Sequence, residues 1–339
     1  MMMHPGYFKL LFNGQFLYQC CTCKFDSFDE SVAKQHCIHS FHHLELPATG
    51  LDTTQWFDTH IAISRRREKI VVGFLTWNTV EASTLAAKAI GEEIRVLRMM
   101  GLDAECFWLD NGSDDGTVAM VSPHLYGYGQ SLVLPKNMGQ SCARNKIIEH
   151  AVDEGADYLI FIDGDIQPIR FSLSALYELM FIMPFNTGCI GLYSHNCTAD
   201  EYDLTVSTEC RRINMTMLQE RLPIAWTQYG IFNMTPFFRG LRFDESEAFQ
   251  GPGWGFEDDD LGLALQDKGY KSYHTKFFRY LHRHRHSSLR LLDAEQSAAT
   301  FLKRRSYLLS KWGNVEHAKA YVGRLQNQQL PDLDKYPKP

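Results

Sequence analysis

From Ile70 onward, short apolar runs alternate with stretches whose apolar residues recur every three or four positions. The runs Ile70–Thr76, Ala104–Asp110, Ser131–Leu134 and Tyr158–Asp163 each end in polar turn residues and predict short buried strands. Between them, Ala82–Met100 and Ser141–Glu154 carry helical spacing, with Gly101 and Gly155 as stop signals. Strand and helix in alternation predict βαβ units, hence an α/β fold with a mostly parallel central sheet flanked by helices. The tail is predicted helical from about Asp293 and turns polar and Pro-containing after Asn327. The apolar run Leu173–Phe185 is too short to cross a bilayer and contains Glu178, and Met1–Gln19 lacks a charged start followed by an apolar core. The expectation is a cytoplasmic protein with no membrane segment.

Composition divides the chain further. Residues 1–46 are rich in Cys, His and Phe; 47–69 read as a linker; 70–290 form the α/β domain; 291–339 form the helical tail. Nine cysteines, an odd number spread over 339 residues, favour buried thiols and a metal site over a disulfide framework. Cys20 and Cys23 enclose two residues, twelve separate Cys23 from His36, and five separate His36 from His42. This order resembles a Cys-Cys-His-His zinc finger, and the resemblance implies a small ββα module folded around structural Zn2+. His39 and His43 are rivals of His42 as fourth ligand. Asp29, Val32 and Gln35, at the positions that would meet bases, are a poor set for reading DNA. Cys20–His43 carries a net charge of −1, so a protein contact or a structural role fits the finger at least as well as base reading.

Four motifs carry chemistry in the main domain. The first strand ends in Phe74-Leu75-Thr76-Trp77-Asn78, and the second in Asp110-Asn111-Gly112-Ser113-Asp114-Asp115. Asn137–Asn145 opens a helix and includes Arg144, and the strand Tyr158–Asp163 ends in Asp163-Gly164-Asp165. Carboxylates at the C-terminal ends of parallel strands stand where open α/β sheets bind ligands. Two of them flanking one glycine are expensive to bury without a cation, and a hard divalent ion with open positions is the natural one.

In combination these residues resemble the GT-A nucleotide-sugar glycosyltransferases of the family 2 type, over about Ile70 to His286. The resemblance implies a nucleotide-sugar site built from Thr76, Asn78, Asp110, Asn111, Ser113, Arg144, Asp163 and Trp254, with Mn2+ or Mg2+ on Asp163 and Asp165. A fifth segment, Gly251-Pro252-Gly253-Trp254-Gly255-Phe256-Glu257-Asp258-Asp259-Asp260, opens a helix that Gly269 ends. It is similar to the Gly-Trp-Gly-x-Glu-Asp run of inverting galactosyltransferases. That likeness implies Asp258 as general base and Glu257 as an acceptor contact, leaving Asp260 to hold the helix start. The same families often take a last metal ligand from a histidine after this motif. His284 is the expected one, with His282 and His286 as rivals.

Charge bears on the acceptor. The net charge of −6 conceals eight basic residues against two acids between Arg279 and Lys311, a stretch of +6, while the other 306 residues carry −12. With a finger in front, this points to a macromolecular acceptor, in the first place a hydroxymethylated pyrimidine in viral (phage) DNA that would have to be flipped out. A protein or glycan acceptor for the same chemistry is the alternative, and a non-catalytic binding protein with a decayed domain is the alternative of another class. No Gly-x-Gly-x-x-Gly turn follows Ile70–Thr76, which argues against a dinucleotide oxidoreductase.

Overall fold

The structure is a computed structural model. It describes residues 68–192, 218–220, 225, 227–250, 255–275, 280–283 and 294–327, together with strand segments before residue 28. Two compact units make up the chain, one of Met1–Arg66 with Phe181–Met183, the other of Arg67–Met180 with Pro184–Pro339.

In the first unit, β1 (Met3–His4), β2 (Tyr7–Phe12), β3 (Gln15–Cys20) and β4 (Asp26–Ser27) pair in that order as an antiparallel sheet. Cys20 is the last residue of β3. Cys23, His36, His39, His42 and His43, on which the zinc expectation falls, lie outside the described residues.

The second unit opens with the expected alternation, but the apolar pattern does not predict the helix Thr117–Leu125, and the strand at Gly129–Val133, expected buried, lies at the sheet edge with most of its residues exposed. β5 (Lys69–Thr76), α1 (Val80–Met99), β6 (Asp103–Asp110), α2 (Thr117–Leu125), β7 (Gly129–Val133), α3 (Gln140–Asp153) and β8 (Tyr158–Asp163) follow in turn. Then come β9 (Ile166–Gln167), α4 (Ser172–Ile182), β10 (Thr187–Leu192), β11 (Leu218–Glu220), β12 (Tyr229–Asn233) and the short α5 (Thr235–Phe238). The chain closes with α6 (Glu257–Asp267), β13 (Lys271–Thr275), β14 (Leu281–His282), α7 (Ala294–Trp312) and α8 (Lys319–Gln326).

Eight strands form the central sheet in the order β11-β13-β10-β12-β8-β5-β6-β7, and β9 pairs with β14 apart from it. β11 and β12 run against the others, so the sheet is mostly parallel with helices on its faces. This is the GT-A-like, Rossmann-like α/β arrangement expected from the alternating pattern.

The core follows from burial on both sheet faces, which demands continuous apolar strands. Val71, Leu75, Leu159 and Phe161 pack with Ile147, Ile148 and Ala151 of α3. Gly73 is required in β5, because a Cβ there would come 2.3 Å from Ile147 Cγ2. A second cluster joins Phe301, Leu308 and Trp312 of α7 to Phe249, Phe256 and Leu263, with Val322 and Leu325 of α8 completing it. Each such side chain contributes roughly 2 kcal/mol through apolar area removed from water, so the segment after Asp293 is bound into the catalytic unit.

Candidate active site

Parallel register lines up the strand ends. Thr76 pairs with Asp110 across β5 and β6, and Leu75 with Asp163 across β5 and β8, so these polar residues share the C-terminal edge of the sheet. There Thr76 Oγ1 donates to Asp110 Oδ2 at 2.8 Å and accepts from Trp108 Nε1 at 3.0 Å. The Ser113 amide and hydroxyl donate to the two Asp110 oxygens at 2.8 and 2.7 Å.

Asp110 is wholly buried, and Thr76 and Asn111 nearly so. Their hydrogen bonds build the loop; Asn78 and Ser113 are partly exposed, and Asp114 and Asp115 are exposed. Asn78 and Asp114 bond reciprocally through Nδ2 to Oδ1 and backbone N to Oδ1, at 3.0 and 2.9 Å. Asn111 reaches Asn137 and Gly139 at the start of α3. The structure therefore brings together Thr76, Asn78, Asp110, Asn111 and Ser113; Trp254 lies outside the described residues.

Arg144, at the start of the second turn of α3, is the electrostatic centre of the site. Its side chain is 1% exposed, a position tolerable for a guanidinium only among carboxylates. Nη2 donates to both oxygens of Asp163 at 3.0 and 3.1 Å, and Nη1 to Glu257 Oε1 at 3.1 Å and Asp258 Oδ1 at 3.4 Å. Burial pushes the Asp163 carboxyl up to about 6, with Arg144 opposing and Asp165 reinforcing the shift. Burial likewise drives Asp258 well above the usual carboxylate range, against the pull of Arg144 and with the push of Glu257. The Thr227 hydroxyl donates to Asp258 Oδ1, and the Ala225 amide donates to the Asp258 carbonyl at 3.0 Å.

The entry to α6 is strained. Phe256, at its N-cap, has a φ of 72°, the left-handed region that a bulky side chain enters at a penalty. Its ring lies 4.8 Å from that of Phe301 on α7, which helps hold the turn. Glu257 points inward, 7% exposed, with Oε1 on Arg144 and Oε2 3.7 Å from Arg304 Nη1. Asp260 differs from its expected part at the helix start, since it accepts from Trp312 Nε1 at 2.7 Å and Lys311 Nζ at 2.8 Å and so ties α6 to α7.

The β9–β14 pair places a histidine on the second carboxylate of the Asp-Gly-Asp turn. Leu281 pairs with Gln167 and His282 with Ile166, which brings His282 Nε2 to 3.3 Å from Asp165 Oδ2. A carboxylate and an imidazole so placed form a donor pair suited to Mn2+ or Mg2+. His282 was the expected rival of His284, and His284 and His286 lie outside the described residues. Glu105, His150 and Glu154 form another cluster of ligating type, at the N-terminal edge of the sheet. Lys69 Nζ lies within ion-pair reach of both glutamates there and supplies their cation.

Residues 85–248 match the family model described as Glycosyl transferase family 2. That segment, just under half of the chain, is similar to a glycosyltransferase family 2 domain. The chain is similar in fold to the mannosyltransferase PcManGT from Pyrobaculum calidifontis, solved with GDP-Man and Mn2+, at 16% identity, TM-score 0.50, and coverage of 76% of this chain and 70% of that one. Glucosyl-3-phosphoglycerate synthase from Mycobacterium tuberculosis, with Mg2+ and uridine diphosphate, aligns at 14% identity and TM-score 0.48 over 78% of this chain and 85% of its own. S. aureus TarS 1-349 with UDP-GlcNAc aligns at 14% identity and TM-score 0.45, over 73% of each chain. No curated protein sequence matches the chain. Glycosyltransferase is thus the enzyme class of this domain.

Thr227 and Arg304 join the site without having been chosen from the sequence, and His282, expected only as a rival of His284, stands beside Asp165. Thr227 lies in a stretch without hydrophobic periodicity, and Arg304 sits in a helix that reads as a solvated basic face. Only His282 left a signal, as one of three alternating histidines.

Proposed function

We propose that this glycosyltransferase moves a sugar from a nucleotide-sugar donor, a UDP-sugar, to a hydroxyl of a macromolecular acceptor, with inversion and with Asp258 as general base. The observation that carries the reading is Asp258 itself, at the N-terminal turn of α6, between Thr227 and Arg144 and across Arg144 from Asp163. A desolvated carboxylate holds a proton more tightly than one in water, which strengthens it as acceptor of the hydroxyl proton. As the acceptor oxygen bonds to the anomeric carbon, the sugar–phosphate bond breaks, its electron pair leaves with the nucleoside diphosphate, and the proton passes to Asp258.

Asp165 and His282 would hold a divalent cation together with Asp163, and Asn78 and Ser113 would bind the nucleotide. Bound Mn2+ or Mg2+ would neutralise charge on the departing diphosphate. Arg144 sets the orientation of Asp163 and Asp258 together, and Glu257 anchors Arg144 from the buried side.

For the acceptor, the basic stretch now carries less weight. Arg283 bonds Gln167, Lys303 bonds Glu247, Arg305 bonds the Gln326 carbonyl, and Lys311 bonds Asp244 and Asp260. These cations serve the fold. The Cys/His spacing, with the structural Zn2+ it would hold, supports a macromolecular acceptor, and a hydroxymethylated pyrimidine in DNA rests on Arg279, Arg285 and Arg290, outside the described residues. Mass spectrometry of nucleosides from hydroxymethylated DNA incubated with enzyme, Mn2+ and a panel of sugar nucleotides tests it. A hexosylated nucleoside is expected; transfer to proteins or glycans alone would overturn the DNA acceptor. Asp258→Asn should abolish transfer and leave donor binding by calorimetry near wild type. Full turnover in that variant would remove Asp258 as base.

A further inference from the structure

We propose that Arg304, on the C-terminal helix α7, is a positioning residue for the catalytic carboxylates: it fixes Glu257 against Arg144 and thereby sets how firmly Arg144 engages Asp258. The inference rests on Asp258 acting as base.

Three consecutive basic residues on α7 behave differently. Lys303 is exposed and bonds Glu247, and Arg305 reaches outward to the Gln326 carbonyl. Arg304 between them turns inward, its side chain 1% exposed. Its Nε donates to the Ala248 carbonyl at 3.3 Å and its Nη1 to the Gly255 carbonyl at 3.4 Å, and the guanidinium stacks over Phe249 at 5.6 Å. Those contacts would satisfy a purely structural arginine. This one also lies 3.7 Å from Glu257 Oε2, the carboxylate whose other oxygen holds Arg144.

Glu257 is therefore clamped between two buried guanidiniums, one from α3 and one from α7. The geometry makes Glu257 and Asp258 competitors for a single nitrogen, because Arg144 Nη1 serves Glu257 at 3.1 Å and Asp258 at 3.4 Å. While Arg304 holds Glu257 in place, Glu257 keeps the shorter contact and Asp258 remains only loosely paired. Without Arg304, Glu257 is free to reorient, Nη1 moves toward Asp258, and a fully paired carboxylate is a poorer base. The same arginine pins the Gly255 carbonyl beside the strained Phe256, so the helix carrying both acids starts from a fixed point. Arg304 reaches Ala248, Phe249, Gly255 and Glu257, so its influence on the donor side passes through Arg144 and Asp163, and it falls first on the carboxylates of α6.

The test compares Arg304→Met, Arg304→Lys and Arg305→Met in the full chain, by sugar transfer or donor hydrolysis with Mn2+, and adds an Arg304→Met/Glu257→Gln unfolding cycle in urea. Arg304→Met should lower kcat about tenfold or more with donor KM within about twofold, and Arg304→Lys should restore part of the loss. Arg305→Met, which loosens the α7–α8 contact alone, should keep wild-type kcat. The two substitutions of the cycle should shift the unfolding midpoint non-additively. Additive shifts, or an equal kcat loss in Arg305→Met, overturn the positioning role in an active enzyme. A wild type that turns over no nucleotide sugar overturns the glycosyl-transfer reading itself, and the positioning role with it.

Discussion

Arg144 Nη2 lies 3.0 and 3.1 Å from the two oxygens of Asp163, so one buried cation holds the carboxylate that ends the central strand β8. Its other terminal nitrogen spans Glu257 and Asp258 on α6. A strand end and a helix start more than ninety residues apart are thus joined through one side chain.

Removing that cation leaves three acids facing one another in a desolvated site. Arg144→Met is expected to destabilise the folded protein by about 3–5 kcal/mol, the range for one-sided loss of a buried ion pair. Arg144→Lys should fall between, since a single ammonium has no fork to reach both α6 and β8. Urea unfolding measures both; a loss in Arg144→Met under about 1 kcal/mol would show that the three acids do not depend on it.

Gly164 separates Asp163 from Asp165 under tight sterics. A Cβ there would lie 2.9 Å from the hydroxyls of Ser83 and Thr79 and 3.1 Å from the Leu75 carbonyl, and Ser83 Oγ already donates to the Gly164 carbonyl at 3.1 Å. Gly164→Ala must push the turn off the start of α1 and move the two carboxylates relative to each other. A displacement of this order should reduce turnover about tenfold to a hundredfold with little change in thermal midpoint. Unaltered kcat in a folded Gly164→Ala protein would mean the turn tolerates the shift.

The elements that carry these carboxylates were legible because their physics is local. Tyr158–Asp163 is a continuous apolar run cut off by two acids, and the strand occupies the same residues. Helix boundaries at Val80–Met99 and Gln140–Asp153 fall within two residues of the periodicity's prediction. The antiparallel insertion of β12 between β8 and β10 was not legible, since pairing order depends on tertiary contacts and the region from Phe171 to Gln250 has little pattern. Arg304 was hidden for a related reason: helical spacing alone does not say which of three adjacent cations turns inward. Asp260 looked like a cap by position, and only the packing of Trp312 and Lys311 shows its different use.

His282 faces Asp165 at 3.3 Å, and the pair is expected to bind the divalent cation. His282→Ala should raise the Mn2+ dissociation constant about tenfold or more, read by electron paramagnetic resonance without any sugar transfer. An unchanged titration would move the ligand to His284 or His286. Chelation of the metal from wild type should abolish transfer, with recovery on adding Mn2+.

Glu93 gives the fold a pH dependence of its own. On α1, 2% exposed, it accepts the Phe171 and Leu173 amides at 2.5 and 2.9 Å and so holds the start of α4. Burial pushes its carboxyl up to about 7 despite those two donors, with Glu92 adding to the rise and Arg170 opposing it. A folded-state value above the unfolded one means the native protein binds the proton more tightly. Stability from this group is therefore full below about pH 4.5 and declines as pH rises through about 7. Glu93→Gln removes the titration. Between about pH 4.5 and 7.5 wild type should lose roughly 3 kcal/mol relative to Glu93→Gln, from about 2.5 units at 1.36 kcal/mol each. Urea unfolding of both proteins across that range reads the difference, and a stability gap that stays flat with pH would show that the two amide hydrogen bonds keep Glu93 ionised in the fold.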